Sequence, residues 1–428
     1  MMENHLIWGG VDTVQIARKF GTPLYVIDAE AIERNWREIH DVMVKHHQAT
    51  QICYAYKANT HLALCKLLSE LGAGAEVASG GELHAALKIS VPANRIVFDG
   101  PNKSMSELRT AINAGVMINA DSLTELGRIQ YTAKNLGKKA RVGIRVNPAI
   151  RVETHPHLAT AMREHKFGLL KDALLEACSY ASQQDMIELL GLHAHLGSQI
   201  HDIKPFDEAF QAVLELSGEL LEKFNLKIQI LDLGGGLGIS YTGNEVVPSL
   251  DEFAGTLSKR LQEKMGKRAS EITIILELGR RLVANAGILL TEVGVVKRNP
   301  VTNWALVDAG MNDLIRPALY GAYHNIEVAN KLNSSSRHET YSIGGPCCES
   351  DDVLGRDRKL PHLEERDILA VKDVGAYGFT MSSNYNSYPR PLVLLAKNGR
   401  VQIIRERESY DDVFRLERLP TTYSALTE

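Results

Sequence analysis

The sequence predicts a (β/α)8 TIM barrel followed by an antiparallel β-rich domain, and three observations carry that reading. Short runs rich in Val, Ile and Leu recur eight times between positions 52 and 276, separated by amphipathic segments of helical length. That is the pattern of parallel strands joined by crossover helices. Eight such units over roughly 250 residues match the size of a closed barrel. Beyond position 282 the pattern changes to alternating, strand-like segments. A doubly wound open sheet is the alternative. On the barrel reading the chain divides into 28–280 and a second domain made of 1–27 with 281–428, which contributes to a dimer and to the active site.

Taken in order, 11–20 reads as a helix, Gly21-Thr22-Pro23 as a turn, and Leu24-Tyr25-Val26-Ile27 as a strand that precedes the barrel and pairs with the second domain. The barrel strands are expected at 52–58, 75–79, 95–99, 116–120, 141–146, 187–195, 228–233 and 272–276. The second domain is expected to place strands at 288–296, 304–307, 340–343, 367–371 and 391–397, with a mobile polar loop at 333–338.

Composition narrows the function. At 428 residues there is room for a large core, and a net charge of −4 with interspersed signs offers no surface for nucleic acid or an anionic membrane. Small-molecule chemistry is the expectation. Five cysteines, Cys53, Cys65, Cys178, Cys347 and Cys348, are odd in number and lack zinc-ribbon spacing, which fits a reducing compartment. With no apolar leader or span, the chain reads as cytoplasmic.

In a barrel, functional groups gather where strands end. Here those ends carry Lys57, Glu76, Asp121, Arg145, His195, Gly234-Gly235-Gly236 and Glu277, several of them costly to bury without a role. Lys57 follows an apolar run, and lost hydration is expected to lower its pKa and free the amine for a carbonyl cofactor. A solvated strand-end lysine is the plainer alternative. The glycine triplet after strand seven lets backbone N–H groups approach an anion, where barrels often hold phosphate; a tight turn is the alternative. Glu277 could hold a proton on a pyridine nitrogen, or form an exposed ion pair. His193 and His195, two apart on a strand, face one side and suit either a metal or packing on a flat cofactor. Glu153, His155, His157 and His165 read as a solvated lid. In Gly345-Pro346-Cys347-Cys348-Glu349-Ser350-Asp351, an extended chain would send the two thiols to opposite faces, so one serves a site.

Together these motifs, from about Leu24 to Tyr388, resemble the diaminopimelate decarboxylases among the alanine-racemase-like pyridoxal-phosphate enzymes. The resemblance implies pyridoxal 5′-phosphate as cofactor, linked to Lys57, with His195 on its ring, Glu277 at the ring nitrogen, and Gly234, Gly235, Gly236, Ser198 and Arg280 around its phosphate. Glu76, Arg145, Gly279 and Tyr377 complete the cofactor site. It also implies Cys348 as proton donor and Arg280, Arg316, Tyr320, Glu349 and Tyr377 as substrate contacts, with Cys348 and Glu349 reaching the other subunit's site in a homodimer. No metal is implied. An arginine on the departing carboxylate would stabilise the ground state more than the transition state, so Arg280 and Arg316 belong at the remote end of the substrate.

Three positions depart from the family pattern: Leu278 replaces a usual proline in Glu277-Leu278-Gly279-Arg280, Thr160-Ala161 replaces Thr-Gly ahead of Lys166-Phe167-Gly168, and Asp351 replaces a glycine. They cluster around substrate access, so a secondary-metabolism paralogue acting on a carrier-protein-bound glutamyl thioester stays open beside meso-diaminopimelate. A racemase, or a non-catalytic cofactor-binding protein, is the other alternative. Relatives that racemise carry an arginine where Glu277 stands, and the non-catalytic proteins lack a second domain.

Overall fold

A computed structural model of the chain describes residues 4–150, 166–333 and 337–420. Glu153, His155, His157, Thr160, Ala161 and His165, and the centre of the 333–338 loop, lie outside them. The chain forms two compact units, 28–287 with 373–380, and 1–27 with 288–372 and 381–428.

The first unit is a closed barrel of eight parallel strands: Thr50–Ala55, Gly74–Val77, Ile96–Phe98, Met117–Ala120, Ala140–Arg145, Ile187–His193, Ile230–Asp232 and Thr273–Leu278, the last pairing back to the first. All eight expected strands are present. Serines supply the strand-to-helix turns. Ser79, Ser104, Ser122 and Ser249 each accept the N–H three residues on and so start the helices Gly80–Lys88, Met105–Ala114, Leu123–Leu136 and Leu250–Met265. No long helix follows strand eight; its place is taken by Ala29–His46, which precedes strand one and packs against Leu250–Met265. Among the described residues no helix is long and apolar enough to cross a membrane.

The second unit is a twisted sheet containing Gly287–Lys297, Asn303–Val307, His338–Gly344, Val353–Pro361, Leu392–Lys397 and Arg400–Arg405, and Leu24–Asp28 lies between Gly287–Lys297 and Leu392–Lys397. Its core is Leu24, Val26, Ile288, Leu290, Ile368, Leu392 and Leu394. The expected antiparallel pairing holds where Gly287–Lys297 meets Asn303–Val307, His338–Gly344 meets Val353–Pro361 and Leu392–Lys397 meets Arg400–Arg405, but Asn303–Val307 and His338–Gly344 run parallel. The connection between them, which includes the helix Arg316–Tyr320, is long enough for a crossover.

Candidate active site

Lys57 sits in a single 3-10 turn, Tyr56–Ala58, just past the end of strand one. Its Nζ lies 2.7 Å from Oε2 of Glu76, the penultimate residue of strand two, which has no exposed surface. Strand pairing dictates the meeting, since Ala55 stands opposite Glu76 in the parallel register. The expected lowering of the Lys57 pKa is overturned. Burial does pull the amine down, but the charges of Glu76 and Glu277 outweigh it and raise the ammonium above its ordinary range. Burial in turn pushes Glu76 up to about 7, against the pull of Lys57.

Glu277 and Cys53 are paired across strands eight and one. The Glu277 carboxyl is 3% exposed, and neither oxygen makes a hydrogen bond of ordinary length among the described residues, although Asp99 and Nε2 of His193, the latter 3.5 Å away, lie beside it. Burial, then the charges of Asp99 and Glu76, push it well above the carboxylate range, so it is a buried acid. Gly279, two residues on, allows close packing at the mouth: a Cβ there would fall 3.0 Å from Cβ of Ala58.

Arg280 is 5% exposed. Its guanidinium donates to the Tyr241 hydroxyl at 2.6 Å and the Ser198 hydroxyl at 3.1 Å, and lies 4.8 Å from the ring centre of Tyr377. No carboxylate among the described residues pairs with it. A buried cation held only by hydroxyls and a ring is prepared for an external anion. Tyr377 is fixed by its N–H, which donates to Ala58 at 2.7 Å, and it adopts φ 57°, a conformation uncommon outside glycine.

The glycine triplet packs tightly beside these groups. Gly234 has φ +63°, and a Cβ on it would meet Nδ1 of His195 at 2.6 Å. One on Gly235 would run into the carbonyl of Glu277. The Gly235 N–H donates to Nδ1 of His195 at 3.1 Å, which leaves the ring hydrogen on Nε2. Burial, with Lys57 and Arg145 nearby, holds His195 well below its usual range and keeps the imidazole neutral. Arg145 itself lies 3.7 Å from Asp121 and 4.6 Å from the ring centre of Phe167.

His193 and His195 turn out to serve different neighbours. His193 is fully buried, its Nε2 3.6 Å from Asp99 and 3.5 Å from Glu277. The acidic partners absent from its own stretch of sequence come from strands three and eight. Asp99, Asn119, Asp232 and Tyr241 belong to this site and were not singled out by sequence; strand ends carrying Asp99 and Asp232 were the available signal.

In the second unit, Arg316 opens the helix Arg316–Tyr320 and meets Nε2 of His324 at 2.9 Å, while Nδ1 of that ring lies 2.8 Å from the Lys372 carbonyl. The carbonyl requires Nδ1 to donate, so Nε2 accepts from Arg316. The Cys347-Cys348 segment is a turn, not an extended strand. The two thiols still separate. Cys347 is buried with Sγ 3.3 Å from Asn312, and burial pushes it up to about 12, whereas Cys348 and Glu349 are exposed.

Pyridoxal 5′-phosphate fits the barrel mouth on these observations. It carries a ring nitrogen for Glu277, whose oxygens lack hydrogen bonds of ordinary length, an anion for the carboxylate-free Arg280, and an aldehyde carbon for Lys57.

Comparison with known proteins agrees. The profile of the pyridoxal-dependent decarboxylase, pyridoxal binding domain, matches residues 29–284. The chain is 41% identical over 418 residues to the diaminopimelate decarboxylase of Methanocaldococcus jannaschii, covering 96% of this chain and 94% of that one. It is 42% identical over 411 residues to that of Aquifex aeolicus, with the same two coverages, 96% and 94%. A crystal structure of the M. jannaschii enzyme matches with a TM-score of 0.90 at 39% identity, covering 98% of this chain and 99% of that one. One from Helicobacter pylori, complexed with L-lysine, gives 0.88 at 37% identity, covering 94% and 98%.

Proposed function

Because this chain belongs to the diaminopimelate decarboxylase family of pyridoxal-dependent decarboxylases, we propose that it removes the α-carboxylate of meso-diaminopimelate as carbon dioxide and yields L-lysine. The observation that carries this reading is identity of about 40% along nearly the whole chain, through both units, with decarboxylases of that one substrate. A relative's complex with L-lysine supports it from the product side.

Bound pyridoxal 5′-phosphate supplies an electron sink for the pair of electrons left on the α-carbon when carbon dioxide departs. The protein's residues do the rest. Lys57 would hold the aldehyde carbon through Nζ and give it up to the substrate amine. Glu277, buried and pushed upward, would hold a proton at the ring nitrogen, and neutral His195 would cover the ring without adding charge. Arg280, with Ser198, Gly234, Gly235 and Gly236, holds the phosphate, and Gly279 and Tyr377 close that corner. Glu76 acts on Lys57 more than on the cofactor, since its oxygen is already engaged with Nζ. Arg316, Tyr320 and Glu349 would read the remote amino-acid end of the substrate. Cys348 is exposed and able to deliver a proton from Sγ to the α-carbon. We place the enzyme in the cytoplasm, where its five free thiols persist, as a homodimer in which Cys348 and Glu349 serve the other subunit's barrel.

The test is carbon dioxide release from a panel of meso-diaminopimelate, L-lysine, ornithine, arginine, glutamate and a glutamyl carrier-protein thioester. Turnover of meso-diaminopimelate with L-lysine as product is expected. Turnover of the thioester alone would replace the substrate, and exchange of the α-hydrogen without carbon dioxide release would replace the reaction by racemisation.

A further inference from the structure

Behind the carboxyl assigned to the ring nitrogen lies a buried polar chain drawn from five barrel strands. It begins at the glycine loop, where the Gly234 N–H donates to Oδ1 of Asp232 at 3.1 Å. Asn119 spends its side-chain amide on two acceptors, Oδ2 of Asp232 at 3.2 Å and Oδ1 of Asp99 at 2.8 Å. The other oxygen of Asp99 faces Nε2 of His193 at 3.6 Å, and the same nitrogen faces Oε2 of Glu277 at 3.5 Å. None of these five residues is more than 6% exposed.

Asn119 donates to one oxygen of Asp99, so Asp99 accepts there, while its other oxygen and Oε2 of Glu277 flank Nε2 of His193, where a hydrogen on that nitrogen serves either carboxyl. Three buried carboxyls this close cannot all ionise. Burial pushes Asp232 and Glu277 up, whereas against burial the His193 ring holds Asp99 down. Asp99 is therefore the charged member of the chain, between two carboxyls that favour a proton.

We propose that Asp99 and His193 are positioning residues for the cofactor's ring nitrogen, with His193 aiming the Glu277 carboxyl and taking its oxygen as a hydrogen-bond acceptor once the proton has moved to the ring. In that step the O–H bond of Glu277 would break as the ring N–H bond formed, and Nε2–H of His193, now 3.5 Å away without a hydrogen bond of its own, would turn to the new carboxylate. The inference rests on the assignment of Glu277 to the ring nitrogen.

Two cofactors separate this from a merely structural role: pyridoxal 5′-phosphate and its carbocyclic analogue, in which CH replaces the ring nitrogen. Both are titrated by absorbance into the full-length protein stripped of cofactor, as wild type and as Asp99→Asn, His193→Leu and His193→Gln. Asp99→Asn and His193→Leu are expected to weaken the natural cofactor about tenfold, the scale of one hydrogen bond to a charged group, and the analogue less than about twofold. His193→Gln, which keeps a donor, should recover part of the loss. Retained analogue binding certifies that each variant folds, and the two milder variants carry the test if His193→Leu does not. Parallel losses on both cofactors, or no loss on either, would overturn the proposal. A wild type that fails to prefer pyridoxal 5′-phosphate over the analogue would overturn the assignment of Glu277 itself, and this inference with it.

Discussion

Nζ of Lys57 is 2.7 Å from Oε2 of Glu76, whose charge contributes most to holding the amine protonated against burial. The lysine side chain is 38% exposed while the carboxylate is wholly covered, so the pair is bound to the barrel wall through Glu76. Replacing it, Glu76→Gln, removes the nearest negative charge and lowers the Lys57 pKa. Each unit of that fall gives about tenfold more neutral amine at a fixed pH below the pKa. Growth of the visible absorbance band on adding pyridoxal 5′-phosphate to the cofactor-free variant should accelerate by about that factor per unit. An unchanged or slower rate would mean that Glu76 does not govern the amine.

The two adjacent thiols should differ in kind. Cys348 is the one exposed cysteine of the five, so brief alkylation of the native protein at pH 8 should label Cys348 and spare Cys347, whose thiol is pushed up to about 12. Cys348→Ala is expected to reduce kcat by about a hundredfold, the lower range for loss of a general acid, with cofactor absorbance unchanged. Cys347→Ala should lower thermal stability instead. Equal kinetic losses from both would remove the distinction.

Tyr241 accepts from Arg280 at 2.6 Å and is the residue that best orients the buried guanidinium. Tyr241→Phe should weaken pyridoxal 5′-phosphate several-fold, roughly the effect of 1 kcal/mol, and weaken inhibition by inorganic phosphate in step. Pyridoxal without its phosphate should bind the variant and the wild type alike, and a difference there would place Tyr241 away from the phosphate.

Asp313 offers a pH test in the β-rich unit. It is 1% exposed, and burial pushes its carboxyl from the ordinary 3.8 up to about 7. Between these values the folded chain holds a proton that the unfolded chain has lost, so the contribution of this group to stability falls as pH rises through the window and is level above it. The full effect is at most about 4 kcal/mol. Asp313→Asn, which keeps an acceptor for the Gly310 N–H, should therefore raise the denaturation midpoint relative to wild type more at pH 8.5 than at pH 5. A gap independent of pH would exclude this titration.

The barrel strands were legible because most of their residues are apolar and buried, as in Gly74–Val77, Ile96–Phe98 and the second half of Ile187–His193. Val353–Pro361 was not, since Arg356, Asp357 and Lys359 interrupt its apolar pattern on the solvent side, and Ile326–Val328 is too short to show one. Within the site, Lys57, Glu277 and Arg280 stand at strand ends beside recognisable motifs. Asp99, Asn119 and Asp232 do not announce themselves. They meet through the parallel register, which sets Asp232 beside His193, and through barrel closure, and neither is written in any local stretch. The charge of Lys57 was misread for the same reason, because its counter-ion lies on the next strand.

The placement of Leu24–Asp28 between Gly287–Lys297 and Leu392–Lys397 bears on how the protein is made. This segment leaves the ribosome before any barrel strand, yet both its sheet neighbours emerge only after every barrel strand has been synthesised. The barrel strands can close on one another meanwhile, but 373–380, which brings Tyr377 to Ala58, arrives late as well. A nascent chain that has just finished Thr273–Leu278 therefore holds Lys57 and Glu277 without the tyrosine and with Leu24–Asp28 unpaired, and termination before Leu392 leaves that apolar strand short of one of its two sheet neighbours.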